Sequence, residues 1–118
     1  MAITIYHNPR CSKSRKTLDI IRDAGIEPTI ILYLQSAPTA AEILDIAGKL
    51  HARVASLLRR GESEFKEATD LPDLGEDAAV AAWIEAHPRV MQRPIVVDEG
   101  SGKAVIGRPP ENVRDLLR

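Results

Sequence analysis

The sequence is poor in the residues that build disulfides and aromatic cores. Its 118 residues include one cysteine, so no disulfide can form within the chain. A single cysteine is typical of proteins from a reducing compartment, and we therefore expect a cytoplasmic protein. Aromatic residues make up only 3% of the chain, whereas hydrophobic residues reach 44%. The core must therefore consist mainly of Ile, Leu, Val and Ala.

Charge and hydropathy argue against several kinds of partner. The net charge is -1, which gives no electrostatic reason to expect a nucleic acid or a membrane surface. No apolar run approaches the roughly 20 residues of a membrane-spanning helix, and the N-terminus lacks the pattern of a signal peptide. The length is typical of one domain. We expect a single domain over residues 1–118 and a monomer.

Hydrophobic spacing predicts a β-α-β unit at the start of the chain. Residues 2–6 alternate as in a strand, residues 12–24 show helical spacing with Gly25 placed to end the helix, and residues 29–33 form a second β-branched run. Because only about thirty residues contain all three elements, the two strands should be parallel.

A helical insert is predicted next, at about residues 36–91. Thr39 and Glu42 have the spacing of a capping box, and Pro88 ends the insert's strongest helical pattern. The predicted helices span residues 40–50, 54–59, 62–69 and 76–87, with a loop at 71–75.

The rest of the chain predicts a β-β-α unit. Strands at residues 95–97 and 103–106 are joined by a tight turn at 99–102, and a last helix covers 111–117. The whole order predicts an α/β protein with a thioredoxin-like mixed sheet. In such folds a cis-proline commonly precedes the third strand, so we predict a cis peptide bond at Pro94.

Cys11 stands between the first predicted strand and the first predicted helix. Packing in a core is the usual role of a lone cysteine, because cysteine is among the most buried residue types. The dipeptide at 8–9 is typical of a turn, however, and the cations Arg10, Lys13 and Arg15 flank the thiol. A helix N-terminus and positive charge both favour the reactive thiolate. These features favour a nucleophile.

The spacing around Cys11 excludes two familiar roles. Ser14 occupies the place of the second cysteine of a dithiol redox motif, so any disulfide must form with another molecule. The arginine that tyrosine-phosphatase loops carry six positions after the cysteine is replaced by Thr17. No His/Cys cluster has the spacing of zinc ligands, and we expect no metal site.

Three arginines and one histidine are further candidates. Most arginines are solvated surface residues, but the predicted fold places Arg93 and Arg108 near the Cys11 loop. Guanidinium groups there could hold a tetrahedral oxyanion through paired hydrogen bonds, beside a thiolate that attacks it. Arg59 ends a short apolar helix. His7 is equally well explained as a loop histidine or as a group that influences the thiol.

The segment at residues 6–15 closely resembles the active-site loop of the glutaredoxin-coupled arsenate reductases. The resemblance extends over nearly the whole chain, through residues 30–34, 57–59, 87–88, 93–97 and 106–111. Each of these motifs is short, but they are specific in combination.

This resemblance implies an activity and a set of site residues. Cys11 would attack arsenate, glutathione would add to the arsenic, and glutaredoxin would supply the thiol that reduces As(V) to As(III). Glutathione is then a co-substrate, with no bound cofactor. The family's oxyanion-binding arginines fall on Arg59, Arg93 and Arg108, and its thiol-tuning histidine falls on His7. The residues that complete the candidate site are Arg10, Ser14, Arg15 and Pro94.

Two alternatives remain open at this point. A monothiol oxidoreductase acting on glutathione mixed disulfides would also fit the Cys-x-x-Ser motif, although a disulfide offers the three arginines no anion to hold. A non-enzymatic regulatory or binding protein could use the same fold. Its known type carries a two-cysteine redox switch at this turn, and Ser14 removes that switch here.

Overall fold

The computed structural model describes residues 2–117. Its chain divides into two compact units, one made of the segments up to Ser36 and from Arg93 onward, and the other of Ala37–Gln92. The first unit contains the sheet, and the second contains the helices of the central segment. The assignment of the whole chain to a single domain stays a prediction.

The sheet unit has four strands in the order β2-β1-β3-β4. β1 is parallel to β2 and antiparallel to β3, and β3 and β4 form an antiparallel hairpin. This mixed sheet confirms the predicted α/β class and its thioredoxin-like arrangement. The strands are β1 at Ile3–His7, β2 at Thr29–Leu32, β3 at Ile95–Asp98 and β4 at Lys103–Ile106.

Helix α1, Ser12–Asp23, begins directly after Cys11 and packs on the sheet unit. Its apolar residues Leu18 and Ile21 are three positions apart, so they face the core together. The helix ends at Asp23, and Gly25 follows with a φ of +81°, a left-handed conformation that glycine adopts without strain. This confirms the predicted end of the helix. The core around it also includes Ile3, Ile5, Val96, Val113 and Leu116.

The helical unit contains α2, α3, α4 and two short 3-10 helices. Thr39 and Glu42 form the predicted capping box at the start of α2, with the Glu42 N–H donating to Thr39 Oγ1 and the Thr39 N–H donating to Glu42 Oε1. The elements are α2 at Ala40–Lys49, α3 at Ser63–Lys66, α4 at Asp77–Ala86, and 3-10 helices at Val54–Leu57 and Pro88–Val90.

Three predicted helices are shorter or tighter than expected. The helix at 54–59 ends at Leu57, because Leu58 is extended and forms a β-bridge with Met91. The helix predicted at 62–69 covers only four residues. None of them is fully buried, so tertiary packing does little to stabilise a longer helix. The last helix is a 3-10 helix, Pro110–Asp115. Its buried residues Pro110 and Val113 are three positions apart, which matches the 3-10 repeat.

None of the helices formed by residues 2–117 has the length and apolar character needed to span a bilayer.

Candidate active site

The Cys11 loop connects β1 to α1 through a hydrogen-bonded turn. The Cys11 N–H donates to the Asn8 carbonyl over 3.0 Å, and the Arg10 N–H donates to Asn8 Oδ1 over 3.0 Å. This side-chain turn explains why asparagine stands at this position, since its amide oxygen mimics a backbone acceptor. The turn leaves the Cys11 thiol only partly buried. A partly exposed thiol differs from the fully buried packing residue considered from the sequence.

Opposing effects act on the Cys11 thiol, and their sum lowers its pKa. Burial raises the pKa, but hydrogen bonds from the backbone N–H groups of Ser14 and Lys13 lower it. The Arg93 side chain lowers it further through a hydrogen bond and its positive charge. All three donors stabilise the thiolate, which is the nucleophilic form.

Arg93 and Arg108 lie beside each other in the sheet unit, and Arg93 reaches the thiol. Arg93 lies two residues before the start of β3, and Arg108 lies two residues after the end of β4. Arg108 Nη1 donates to the Arg93 carbonyl over 3.3 Å. Both side chains are partly buried. The Arg93 side chain and the Cys11 thiol thus meet at one end of the sheet, although the two residues are far apart in the sequence, and the Arg108 guanidinium contacts the Arg93 backbone.

Gly107 makes the close approach of this segment to α1 possible. A Cβ at Gly107 would lie 2.6 Å from Thr17 Oγ1 and 2.8 Å from Pro94 Cγ, which is closer than real contacts allow. The Gly107 N–H also donates to the Pro94 carbonyl over 2.9 Å. Arg108 can take this position because its neighbour, Gly107, has no side chain. The sequence does not predict this contact of Thr17, because packing between distant elements leaves no local signal.

Pro94 and Pro109 are both preceded by cis peptide bonds. The bond between Arg93 and Pro94 was predicted from its place before the third strand. The bond between Arg108 and Pro109 was missed, and its only signal was a proline directly after a candidate arginine.

His7 and Ser14 form a buried pair beneath the loop. His7 Nδ1 lies 2.6 Å from Ser14 Oγ, which also accepts the Asn8 N–H over 3.1 Å. Burial lowers the pKa of His7, and the positive charges of Arg22 and Arg15 lower it further. The imidazole is therefore held neutral near pH 7. His7 contacts the loop through the Ser14 hydroxyl.

The remaining predicted residues are Arg10, Arg15 and Arg59. Arg15 Nη1 donates to the Pro9 carbonyl over 2.9 Å and so braces the turn. Arg10 is exposed at the tip of the loop. Arg59 belongs to the helical unit, where its Nη1 lies 3.6 Å from Glu62 Oε2 and its side chain is 24% exposed.

No group of three or more His, Cys, Asp or Glu side chains within residues 2–117 is arranged to hold a metal ion.

A mixed sheet whose β1–α1 turn carries one cysteine with a lowered thiol pKa is the arrangement of a thioredoxin-like protein. Residues 6–116 match the profile of the ArsC family. The chain belongs to the ArsC family.

Individual relatives resemble the chain over almost its full length. It is 45% identical to the uncharacterised protein YfgD of Escherichia coli K12, over 98% of this chain and 96% of that one. It is 41% identical to an arsenate reductase of Escherichia coli, over 98% of this chain and 80% of the relative. The solved structure of an arsenate reductase from Vibrio cholerae superimposes with a TM-score of 0.86 at 38% identity, covering 98% of this chain and 97% of that one.

Proposed function

We propose that this chain is an arsenate reductase in which Cys11 is the nucleophile and glutathione and glutaredoxin supply the reducing thiols. The observation that carries the proposal is the contact of Arg93 with the Cys11 thiol, which lowers the pKa of that thiol and places a cation where an oxyanion must approach. Relatives named arsenate reductase support the choice of arsenate as the substrate.

In this proposal the arginines bind the substrate. Arg93 and Arg108 hold arsenate oxygens through paired N–H groups, and Arg59 is the third arsenate-binding arginine. His7, Ser14 and Arg15 keep the loop in the conformation that exposes the thiolate. Arg10 adds positive charge at the loop tip, and Pro94 shapes the segment that carries Arg93.

The proposed reaction begins with two substitutions at arsenic. The Cys11 thiolate attacks arsenate, a sulfur–arsenic bond forms, and one oxygen leaves with protons as water. A glutathione thiol then displaces a second oxygen, also as water. Arsenic is still As(V) after both steps, because each one exchanges an oxygen ligand for a sulfur ligand.

Reduction follows when a glutaredoxin thiolate attacks the glutathione sulfur. A disulfide forms between glutathione and glutaredoxin, the bond from arsenic to the glutathione sulfur breaks, and its electron pair stays on arsenic as As(III). Water then displaces the Cys11 sulfur and releases arsenite, which regenerates the thiol. The two electrons come from the glutathione and glutaredoxin sulfurs, so the chain needs no second cysteine. Such thiols are supplied in a reducing cytoplasm.

The test is arsenate-dependent oxidation of NADPH in an assay coupled through glutathione reductase, with glutathione and glutaredoxin present. We expect turnover that requires arsenate and glutaredoxin and that disappears in Cys11→Ser. Arg93→Ala and Arg108→Ala should mainly raise the KM for arsenate. Turnover retained in Cys11→Ser would exclude the covalent mechanism. Turnover of glutathione mixed disulfides without any arsenate dependence would instead make the chain a monothiol oxidoreductase.

A further inference from the structure

A cleft of about 430 Å³ opens on the exposed face of α1, directly beside the Cys11 loop. One wall is the N-terminal half of α1, and the other is the start of the last 3-10 helix. Its lining consists of Ser12, Lys13, Arg15, Lys16, Asp19 and Pro110. The whole cleft belongs to the sheet unit.

The cleft is positively charged, and two of its cations are available to a ligand. Three of the lining side chains are cationic and one is acidic. Within the part of the chain that the structure describes, Lys13 and Lys16 form no ion pair, and both are exposed. Arg15, in contrast, is bonded to the Pro9 carbonyl. No acidic side chain of the described residues forms an ion pair with either lysine, so both charges are available to an anionic ligand.

The lining of the cleft starts at the residue next to Cys11. Ser12 follows Cys11 directly, and Lys16 lies on the same face of the helix one turn further along. A rise of 1.5 Å per residue places Lys16 roughly 7 Å from Cys11 along the helix axis. An extended peptide spans about 7 Å over two residues. A small peptide could therefore place a thiol at Cys11 and a carboxylate between the lysines.

We propose that this cleft binds the carboxylate groups of the thiol co-substrate, glutathione, with Lys13 and Lys16 as the binding residues. The inference rests on the proposed function for the identity of the thiol. Its basis is the match of charge and reach: glutathione is a peptide whose thiol lies between two terminal carboxylates. A thiol compound without carboxylates would form no ion pair with the lysines.

Binding is tested first without any turnover. S-methylglutathione, which cannot react, is titrated into the full chain while amide chemical shifts are recorded by NMR. We expect shifts at Ser12–Asp23 and at Glu111, and in the double variant Lys13→Gln/Lys16→Gln we expect binding about tenfold weaker, a change of one decade in Kd. The matched control is Lys103→Gln, an exposed lysine of β4 at the opposite end of the sheet, which should bind as the original chain does.

Kinetics then separate this inference from the proposed function. We expect the double variant to raise the KM for glutathione about tenfold and the KM for arsenate by a clearly smaller factor, through the loss of local positive charge. The difference between the double variant and the original chain should disappear when the thiol is the diethyl ester of glutathione, which lacks both carboxylates. If the original chain turns over no arsenate but still binds S-methylglutathione through the two lysines, the proposed function fails and the cleft assignment stands. Arsenate turnover with glutathione binding and KM unchanged in the double variant would overturn the cleft assignment alone. A rise only in the KM for glutaredoxin would overturn it in favour of a protein-docking surface.

Discussion

At Cys11, burial acts against ionisation of the thiol, while three hydrogen-bond donors act for it. Two of the donors are backbone N–H groups at the start of α1, and the third is the Arg93 guanidinium. The backbone donors are set by the turn itself and would accompany any cysteine at this helix start. Arg93 is the part of the arrangement that a single side-chain substitution can remove.

Replacing Arg93 with glutamine should raise the pKa of the Cys11 thiol. The rate of Cys11 alkylation by iodoacetamide, measured against pH, reports the thiolate fraction. For the original chain we expect a midpoint below the ordinary value of about 8.5, and Arg93→Gln should move it upward, because a hydrogen bond and a positive charge are both lost. Arg114→Gln, an exposed residue of the last 3-10 helix, is the control. An unchanged midpoint in Arg93→Gln would contradict the proposed contact.

His7 should make the protein less stable in mild acid. Its pKa is lowered in the folded chain, so below about pH 6.5 the unfolded chain binds more protons than the folded chain. The contribution of His7 to the free energy of unfolding should therefore fall as the pH drops through this region and stay level above it. Urea denaturation at a series of pH values measures the slope.

The variant His7→Asn should flatten this pH dependence, since asparagine does not titrate. The matched control is His51→Asn, an exposed histidine whose φ of +53° suits asparagine. If the slope survives in His7→Asn and disappears in His51→Asn, the acid sensitivity does not come from the buried pair of His7 and Ser14.

At the scale of elements, several faces of α1 contribute groups to the site. Its first N–H groups bond the thiol sulfur, its buried Ser14 contacts His7, and its buried Thr17 lies against Gly107. Thr17 Oγ1 also donates to the Lys13 carbonyl over 2.8 Å, so the threonine is fixed within the helix. A shift of α1 relative to the end of β4 would therefore disturb the loop and the arginines together.

The contact between α1 and Gly107 should not tolerate even one methyl group. Gly107→Ala would push a Cβ into Thr17 and Pro94, and overpacking of this kind typically costs about 1–3 kcal/mol. Urea denaturation measures the loss, and arsenate KM should rise as well because Arg108 follows directly. Gly48→Ala is the matched control: it lies within α2 with nothing inside 4 Å of the new Cβ, and alanine there should stabilise the helix by up to about 1 kcal/mol. Equal stabilities of the two variants would contradict the close contact.

At the scale of the whole molecule, the net charge is small, but cations and acids are concentrated in different segments of the chain. Residues 10–16 contain four cations and no acid, whereas residues 62–77 contain seven acids and one lysine. The cations surround the Cys11 loop in the sheet unit, and the acids belong to the helical unit. The average charge therefore says little about the site, because an anionic substrate meets the local field.

The proposed function assigns arsenate binding to Arg59 as well, a residue of the helical unit. Arg59→Lys should lower kcat/KM for arsenate about tenfold or more, because a lysine cannot reproduce the planar, paired N–H groups of arginine. The same substitution at its exposed neighbour, Arg60→Lys, provides the control. Full activity in Arg59→Lys would remove Arg59 from the substrate site and leave Arg93 and Arg108 as its arginines.

The sequence by itself determined the elements and their order, since each depends on residues close together in the chain. The capping box at Thr39, the helix end at Gly25 and the turn before Cys11 are all local, and each was predicted. Local sequence patterns did not predict conformations that depend on residues far away in the chain. Leu58 is extended because it pairs with Met91, which no spacing within 54–59 reveals.

Only the tertiary structure decided which side chains meet. Cys11 and Arg93 are separated by most of the chain, and the contact that lowers the pKa of the thiol exists because β1 pairs with β3. The fit of Gly107 against Thr17 and the cleft between α1 and Pro110 likewise join segments far apart in sequence. The sequence therefore determined that the chain carries a thiol ready for ionisation at a helix start. Packing of distant segments decided which cations surround it, because hydrogen bonds and charges act over a few ångströms in space and not along the chain.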